Sequence, residues 1–136
     1  KFRGECPLGF QDLQGGELPY TPKWKFNLAA TYRIEGNNLP FDVLLGANVR
    51  SQDDLLFELS QDEFTWQDAY SIVDISTAFV GKHERYRVNV FVKNLFDQSY
   101  ATLIFAQGQE LIPNAYIQRV PKYAQRTAGI ELRIDI

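Results

Sequence analysis

The sequence predicts an all-β, antiparallel protein. Apolar and polar side chains alternate with a period of two over five segments, which is the pattern of strands that have one apolar and one polar face. Residues typical of turns separate these segments. No apolar run approaches the roughly 20 residues that a membrane-spanning helix requires. Each of the five segments is therefore a predicted strand.

The first two strands are predicted at residues 23–35 and 41–51, joined by the turn-forming sequence 36–40. Their apolar faces consist of Trp24, Phe26, Leu28, Ala30, Tyr32 and Ile34 in the first strand and of Phe41, Val43, Leu45, Ala47 and Val49 in the second. A Trp near one end of a strand and a Tyr near the other suit the two aromatic girdles that mark membrane interfaces.

The third strand is predicted at residues 70–81, and the turn 82–85 leads into a fourth strand that covers residues 87–93 and runs into Asn94. The fifth strand, at residues 126–136, has the cleanest alternation, although Ile72 and Phe91 interrupt the polar faces of the third and fourth. Charges of both signs occupy the polar faces of the five strands, and ion pairs between neighbouring strands are expected there.

The connections alternate in length. Those at 36–40 and 82–85 are short, whereas 52–69 and 98–125 are long. Outer-membrane barrels have short periplasmic turns and longer extracellular loops, although an enzyme also places functional loops at one end of its fold. We expect antiparallel transmembrane strands, with the two long connections and residues 1–22, a loop remnant, on the extracellular side.

Five strands cannot close a transmembrane barrel. An unpaired backbone group in hydrocarbon costs several kcal/mol, so open sheet edges are not stable in a membrane. We therefore expect the chain to be part of a longer polypeptide or to pair with other strands.

Composition excludes several functions. The chain carries 14 Lys and Arg against 17 Asp and Glu, a net charge of -3, and has no cationic block that would attract nucleic acid. His83 is the only histidine and Cys6 the only cysteine, so a metal site or a nucleophile-base pair is not expected. The sequence predicts no enzyme, no metal and no cofactor.

Two features remain open on sequence grounds. The carboxylate pairs Asp53-Asp54 and Asp62-Glu63 either bind a cation or, as we favour, keep a loop soluble. Cys6 either pairs with a cysteine outside these residues, as an oxidising periplasm allows, or is a free thiol.

One motif carries a family resemblance. The fourth strand runs into Asn94, Leu95, Phe96 and Asp97, with Tyr100 three residues further on and Arg126 at the start of the last strand. This combination, with the Pro-Lys-Trp sequence at 22–24, resembles the closing strands of TonB-dependent outer-membrane receptors. Ile136 departs from the aromatic residue on which the last strand of that family usually ends.

The resemblance implies a fold and a function. It implies that these are about five carboxy-terminal strands of a barrel of about 22 strands around a plug. Such a receptor lies in the outer membrane of a Gram-negative bacterium, in contact with lipid, and imports a scarce, large nutrient such as a ferric siderophore. The TonB complex energises import through an amino-terminal segment, the TonB box, which these residues do not include.

The resemblance also points to a ligand site, because extracellular loops of such receptors capture the substrate together with the plug. The candidate contacts are the loop aromatics Phe57, Phe64, Trp66, Phe105 and Tyr116. Packing between loops, or a position in the interfacial girdle for Trp66, is the alternative role of these side chains.

Two further functions fit parts of the sequence. A soluble up-and-down barrel would direct the same apolar faces into a cavity that binds a small lipophilic ligand. An outer-membrane hydrolase would need an activated Ser beside a His, and His83 lies in a turn on the predicted periplasmic side. We rank the hydrolase last.

Overall fold

The computed structural model describes residues 13–82, 85–107 and 115–135. Its main element is a sheet of five strands, in which each strand pairs with the next of the five along the chain. These strands are β1 (Lys25–Ile34), β2 (Phe41–Gln52), β5 (Tyr70–Gly81), β6 (Tyr86–Lys93) and β9 (Thr127–Ile134). The prediction of an all-β, antiparallel fold with five main strands is confirmed, and each predicted strand agrees with an observed one to within about two residues at either end.

Four shorter strands lie in the long connections. They are β3 (Leu55–Leu56), β4 (Trp66–Gln67), β7 (Leu103–Ala106) and β8 (Tyr116–Arg119), and they form two antiparallel pairs, β3 with β4 and β7 with β8. A 3-10 helix at Glu63–Thr65 precedes β4. The sequence predicts loops here, because strands of two to four residues are too short to show a period of two.

The chain divides into two compact units. Of the described residues, the sheet unit comprises 26–51, 71–82, 85–99 and 123–135, and the loop unit comprises 13–25, 52–70, 100–107 and 115–122. Across the described part of both units, no helix has the length and apolarity needed to cross a bilayer.

The short turn between β1 and β2 is held by one carboxylate. Asp42 Oδ2 accepts hydrogen bonds from Arg33 Nη2 at 2.6 Å and Nε at 3.1 Å, while its Oδ1 accepts one from the backbone N–H of Gly36 at 3.0 Å. A Cβ at position 36 would clash with the carbonyl oxygen of Phe41. The tight turn therefore depends on glycine at position 36.

The predicted apolar face of the sheet unit carries large exposed side chains. Those above one third exposure are Phe26, Leu28, Tyr32, Ile34, Leu45, Ile75, Tyr86, Val90, Ile130, Leu132 and Ile134. Near the short turns, the rings of Phe41 and Phe79 meet edge to face at 5.6 Å. The Tyr86 ring covers Gly81. An exposed apolar surface of this extent needs a non-aqueous or protein environment.

The opposite face of the same sheet is polar. Arg50 Nη2 lies 3.1 Å from Asp74 Oδ2, which confirms an expected ion pair between neighbouring strands. Phe91, which interrupts the alternation, stands opposite Gly129 in the β6-β9 register, and its ring occupies the space that a Cβ at position 129 would need. Lys93 Nζ lies 5.5 Å from the Phe91 ring centroid. Phe91 therefore packs over Gly129 on an otherwise polar face.

Candidate functional site

The motif that begins at Asn94 forms a tight turn at the end of β6. Asn94 and Asp97 have positive φ angles of 50° and 54°, a conformation that Asn and Asp adopt more readily than most residues. The backbone N–H of Asp97 donates to the carbonyl of Asn94 at 2.9 Å. The sequence therefore places residues that tolerate this conformation at both ends of the turn.

The side chain of Asn94 ties three parts of the sheet unit together. It is 1% exposed, and its Nδ2 donates to the carbonyls of Gln98 at 3.0 Å and Ala124 at 2.6 Å, while its Oδ1 accepts from the N–H of Gln98 at 2.9 Å. The backbone N–H of Asn94 donates to Asp74 Oδ1 at 2.9 Å. Asn94 thereby links the end of β6 to β5 and to the segment that enters β9.

The remaining motif residues have different surroundings. Asp97 Oδ1 accepts from the backbone N–H of Arg126 at 2.7 Å, so the contact with Arg126 involves its main chain. Leu95 N–H donates to the carbonyl of Val73 at 2.8 Å, and Phe96 is largely exposed. Within the loop unit, the Tyr100 ring stacks on Tyr70 with centroids 4.6 Å apart. Most of the motif therefore acts in local structure.

The two long connections share a small apolar core. Phe57 of the first connection is 3% exposed and packs with Ala101 and Ile104 of the second. Leu55 and Leu103 pack against this cluster. Since no single connection supplies this core, the two are expected to fold together.

Polar side chains of the first connection also bind backbone groups of the second. Glu58 Oε1 accepts from the N–H of Ala106 at 2.9 Å, and Gln67 Oε1 accepts from the N–H of Ala101 at 2.6 Å. These bonds satisfy donors that the short strands leave without a partner in a ladder. They add a second set of contacts between the two connections.

Asp62 and Tyr116 form the third link. The Tyr116 hydroxyl donates to Asp62 Oδ2 at 2.7 Å, while Asp62 Oδ1 caps the 3-10 helix by accepting from the N–H of Phe64 at 3.0 Å. The Phe64 ring lies against Tyr116 with centroids 5.2 Å apart. The hydrogen bond to Asp62 raises the pKa of Tyr116 from its usual value near 10 to about 12.

This link predicts a pH dependence. Because the folded-state pKa of Tyr116 lies above the usual value, its contribution to loop stability is complete below pH 10 and is lost as the pH rises through about 12. The difference in tyrosinate absorbance between the wild-type protein and Tyr116→Phe should therefore show one tyrosine that titrates near pH 12. In an Asp62→Asn background the titration midpoint of Tyr116, measured by the same comparison, should move back toward pH 10. An unchanged titration in Asp62→Asn would contradict the link.

The loop aromatics proposed as ligand contacts differ in exposure. Phe64 is 61% exposed, whereas Trp66, Phe105 and Tyr116 are half-buried. Trp66 lies in β4 opposite Leu56, and Phe105 lies in β7 opposite Ile117. The structure brings Phe64 and Tyr116 into contact, and it buries Phe57 in the shared core. Contact of these five aromatic side chains with a ligand remains a prediction.

A groove that the sequence analysis did not identify lies in the loop unit. It has a volume of 580 Å³ and is lined by Pro19, Tyr20, Phe57, Glu58, Leu59 and Ser60. The Tyr20 ring meets the Phe57 ring edge to face at 5.6 Å. The sequence signal for this groove is the pair Pro19 and Pro22 around Tyr20, because prolines restrict the backbone conformation of the segment before β1.

Acidic groups lie near the start of β1. Lys23 Nζ is 2.9 Å from Glu17 Oε1, and this hydrogen bond, with the charge of Glu17, raises the pKa of Lys23. Burial and the neighbouring charge of Asp53 raise the pKa of Asp54. No group of three or more potential ligands in the described ranges is arranged to hold a metal ion, and Cys6 and His83 lie outside those ranges.

Comparison with known proteins agrees with this architecture. Residues 2–95 match the family described as TonB dependent receptor-like, beta-barrel. The fold is similar to the crystal structure of the ferric yersiniabactin uptake receptor FyuA from Yersinia pestis, with a TM-score of 0.71 and 23% sequence identity. That match covers 87% of this chain and 17% of FyuA, so the chain spans a minor part of the receptor's length.

An antiparallel sheet with one exposed apolar face and one polar face is the arrangement found in the walls of outer-membrane β-barrels. The chain belongs to the TonB-dependent receptor family, because the family match covers more than half of its residues. The resemblance seen in the sequence is thereby confirmed, as is the prediction that the chain is not an enzyme, since this is a family of receptors. The match includes Asn94 and Leu95 and ends before Phe96, Asp97, Tyr100 and Arg126.

Proposed function

We propose that this chain forms part of an outer-membrane receptor of a Gram-negative bacterium that imports a scarce, large nutrient such as a ferric siderophore. The observation that carries the proposal is the division of the sheet unit into an exposed apolar face and a polar face, in a chain of the TonB-dependent receptor family. The similarity to FyuA, a ferric yersiniabactin uptake receptor, supports the nature of the nutrient.

The apolar face is assigned to lipid. Transmembrane β-strands direct apolar side chains into the bilayer and polar ones into the lumen, and this accounts for large exposed residues such as Phe26, Ile130 and Leu132. In this orientation the connections 36–40 and 82–85 face the periplasm, while residues 1–22, 52–69 and 98–125 belong to the extracellular side. The strands between residues 23 and 136 are assigned to the carboxy-terminal part of the barrel.

The polar face is assigned to contact with the plug domain of the same receptor. A groove of 460 Å³ on this face is lined in part by Asn48, Ser76, Asn89 and Glu131. Asn48 Oδ1 is buried and accepts no hydrogen bond within the described residues. A buried acceptor of this kind normally has a partner, and a polar plug surface would supply a donor.

The remaining partners follow from the family. We assign the other barrel strands to the same receptor and the energy source to the TonB complex, acting through an amino-terminal TonB box. Ligand contact is assigned to Phe57, Phe64, Trp66, Phe105 and Tyr116, of which Phe57 belongs to the shared core and also lines the groove beside Tyr20. The soluble lipid-carrier alternative has no support from the family that the chain belongs to.

Uptake of iron tests this proposal directly. The full-length receptor is expressed in a Gram-negative strain that lacks its own ferric-chelate receptors, and accumulation of radioactive iron is measured for a panel of ferric chelates. We expect at least one chelate to be accumulated about tenfold faster than in the strain without the receptor. Deletion of TonB should abolish the gain. Uptake that persists without TonB, or no gain with any chelate, would contradict the proposed function.

A further inference from the structure

The groove beside Tyr20 is an open depression in the surface of the loop unit. Its volume of 580 Å³ lies within the range of roughly 300 to 1,000 Å³ that is usual for such sites. Phe57 and Tyr20 supply adjoining aromatic walls, and Leu59, which is 63% exposed, lines the open side. The surface offered to a ligand is therefore mainly apolar.

The backbone around the groove is held in uncommon conformations. Tyr20 and Gln61 have positive φ angles of 60° and 56°, in the region that favours glycine. Tyr20 N–H donates to the carbonyl of Leu56 at 2.8 Å, and Gln61 Nε2 donates to the carbonyl of Glu17 at 2.7 Å. Bulky residues persist in this region only where surrounding contacts hold them, and such positions cluster at ligand sites. The groove is therefore a built feature of the loop unit.

The charges around the groove disfavour an anion. Among the described residues that line it, none is Lys or Arg, and the one charged residue is Glu58. Both carboxylate oxygens of Glu58 already accept hydrogen bonds, from Ala106 N–H at 2.9 Å and from Ser60 Oγ at 3.2 Å. In the described part of the loop unit, the carboxylates Glu17, Asp53, Asp54, Glu58, Asp62, Glu63 and Asp68 outnumber the basic side chains Lys23, Lys25, Arg119 and Lys122. The resulting potential repels anions and attracts cations.

We propose that this groove binds the apolar part of an uncharged or cationic metal chelate and discriminates against anionic chelates. The inference rests on the proposed function, since it specifies the substrate class of the receptor. Apolar walls supply affinity through burial of ligand surface, while the acidic surroundings supply the selection by charge.

Binding to the purified full-length receptor in detergent tests the inference at low ionic strength, where the effect of charge is largest. The probes are a ferric trihydroxamate with apolar acyl groups, which has no net charge, and a ferric tris-catecholate, which is strongly anionic. Calorimetry should show binding of the uncharged complex about tenfold tighter than that of the anionic one. Equal affinities, tighter binding of the anion, or no binding of either probe would overturn the inference.

A charge substitution locates the effect in the groove. Leu59→Lys removes an apolar contact and adds a cation, so it should weaken binding of the uncharged complex about tenfold and reduce the preference over the anionic one. The matched control is Leu39→Lys, at an exposed leucine in the turn between β1 and β2, and it should change neither affinity. Equal effects of the two variants, or no effect of Leu59→Lys, would overturn the assignment to the groove.

The two hypotheses fail in different ways. A receptor that binds the uncharged probe in the groove but shows no TonB-dependent uptake of any chelate would contradict the proposed function and support the inference. A receptor that imports anionic chelates in preference to uncharged ones would support the proposed function and overturn the inference.

Discussion

Replacing Asn94 with alanine is expected to lower the free energy of unfolding of the receptor by about 3 kcal/mol. The substitution removes two hydrogen bonds donated by Nδ2, to the carbonyls of Gln98 and Ala124, and one accepted by Oδ1 from Gln98. Asn94 is 1% exposed, so water cannot readily replace these bonds. Alanine also tolerates the positive φ of position 94 less well than asparagine does.

Urea unfolding of the full-length receptor in phospholipid vesicles measures this effect. The variant Asn94→Asp separates the donated hydrogen bonds from the accepted one. It keeps the acceptor oxygen and the tolerance of positive φ but loses both donated hydrogen bonds, so it should be less destabilised than Asn94→Ala. The control is Asn37→Ala in the turn between β1 and β2, where the side chain forms no hydrogen bond with any described residue, and the expected change is within about 0.5 kcal/mol. If Asn94→Ala were as mild as the control, the proposed role of Asn94 as a link between three segments would be wrong.

Replacing Leu132 with arginine is expected to cost about 2 to 4 kcal/mol, the usual penalty for a cation on the lipid face near the bilayer midplane. Leu132 lies in β9 opposite Val88, is 62% exposed and belongs to the apolar face assigned to lipid. In water the same substitution at so exposed a position would change stability by only about 0.5 kcal/mol. The size of the loss therefore reports on the surroundings of this face.

The neighbouring residue provides the matched control for this experiment. Glu131→Arg places the same cation one position earlier in β9, on the polar face, and it should change the free energy of unfolding by about 1 kcal/mol or less. Both are measured by urea unfolding in vesicles. Similar losses for the two variants would refute the assignment of the apolar face to lipid.

The sequence predicted the long strands well because their pattern is redundant. In β9, four alternating apolar residues from Ala128 to Ile134 specify both the strand and its face, so one irregular residue does not obscure the period. The short turn at 36–40 was also predictable, since the Gly and Asn residues at 36–38 are typical of turns.

The internal structure of the long connections was not predictable in the same way. Strands of two residues, such as β3 and β4, contain no period, and the core of Phe57, Ala101 and Ile104 joins segments more than 40 positions apart in the sequence. The role of Phe91 was hidden for a related reason, because only the β6-β9 register shows that it stands opposite Gly129. Contacts between distant positions cannot be derived from local alternation.

Of the proposed ligand contacts, the sequence identified the loops but not the exposure of each side chain. An aromatic residue in a loop is consistent both with ligand contact and with packing, and Phe57 and Phe64 illustrate a buried and an exposed environment. The groove was missed because its wall comes from Tyr20, which precedes β1 and has no alternating neighbours.

The shared core of the two long connections has a consequence for engineered chimeras. If the loop at 52–69 were transplanted alone into a related receptor, Phe57 would lose Ala101 and Ile104, and Glu58 and Gln67 would lose the backbone donors of Ala106 and Ala101. Such a graft would carry the sequence of the loop without its conformation. Altered specificity should therefore transfer between receptors only when both connections are exchanged as a pair.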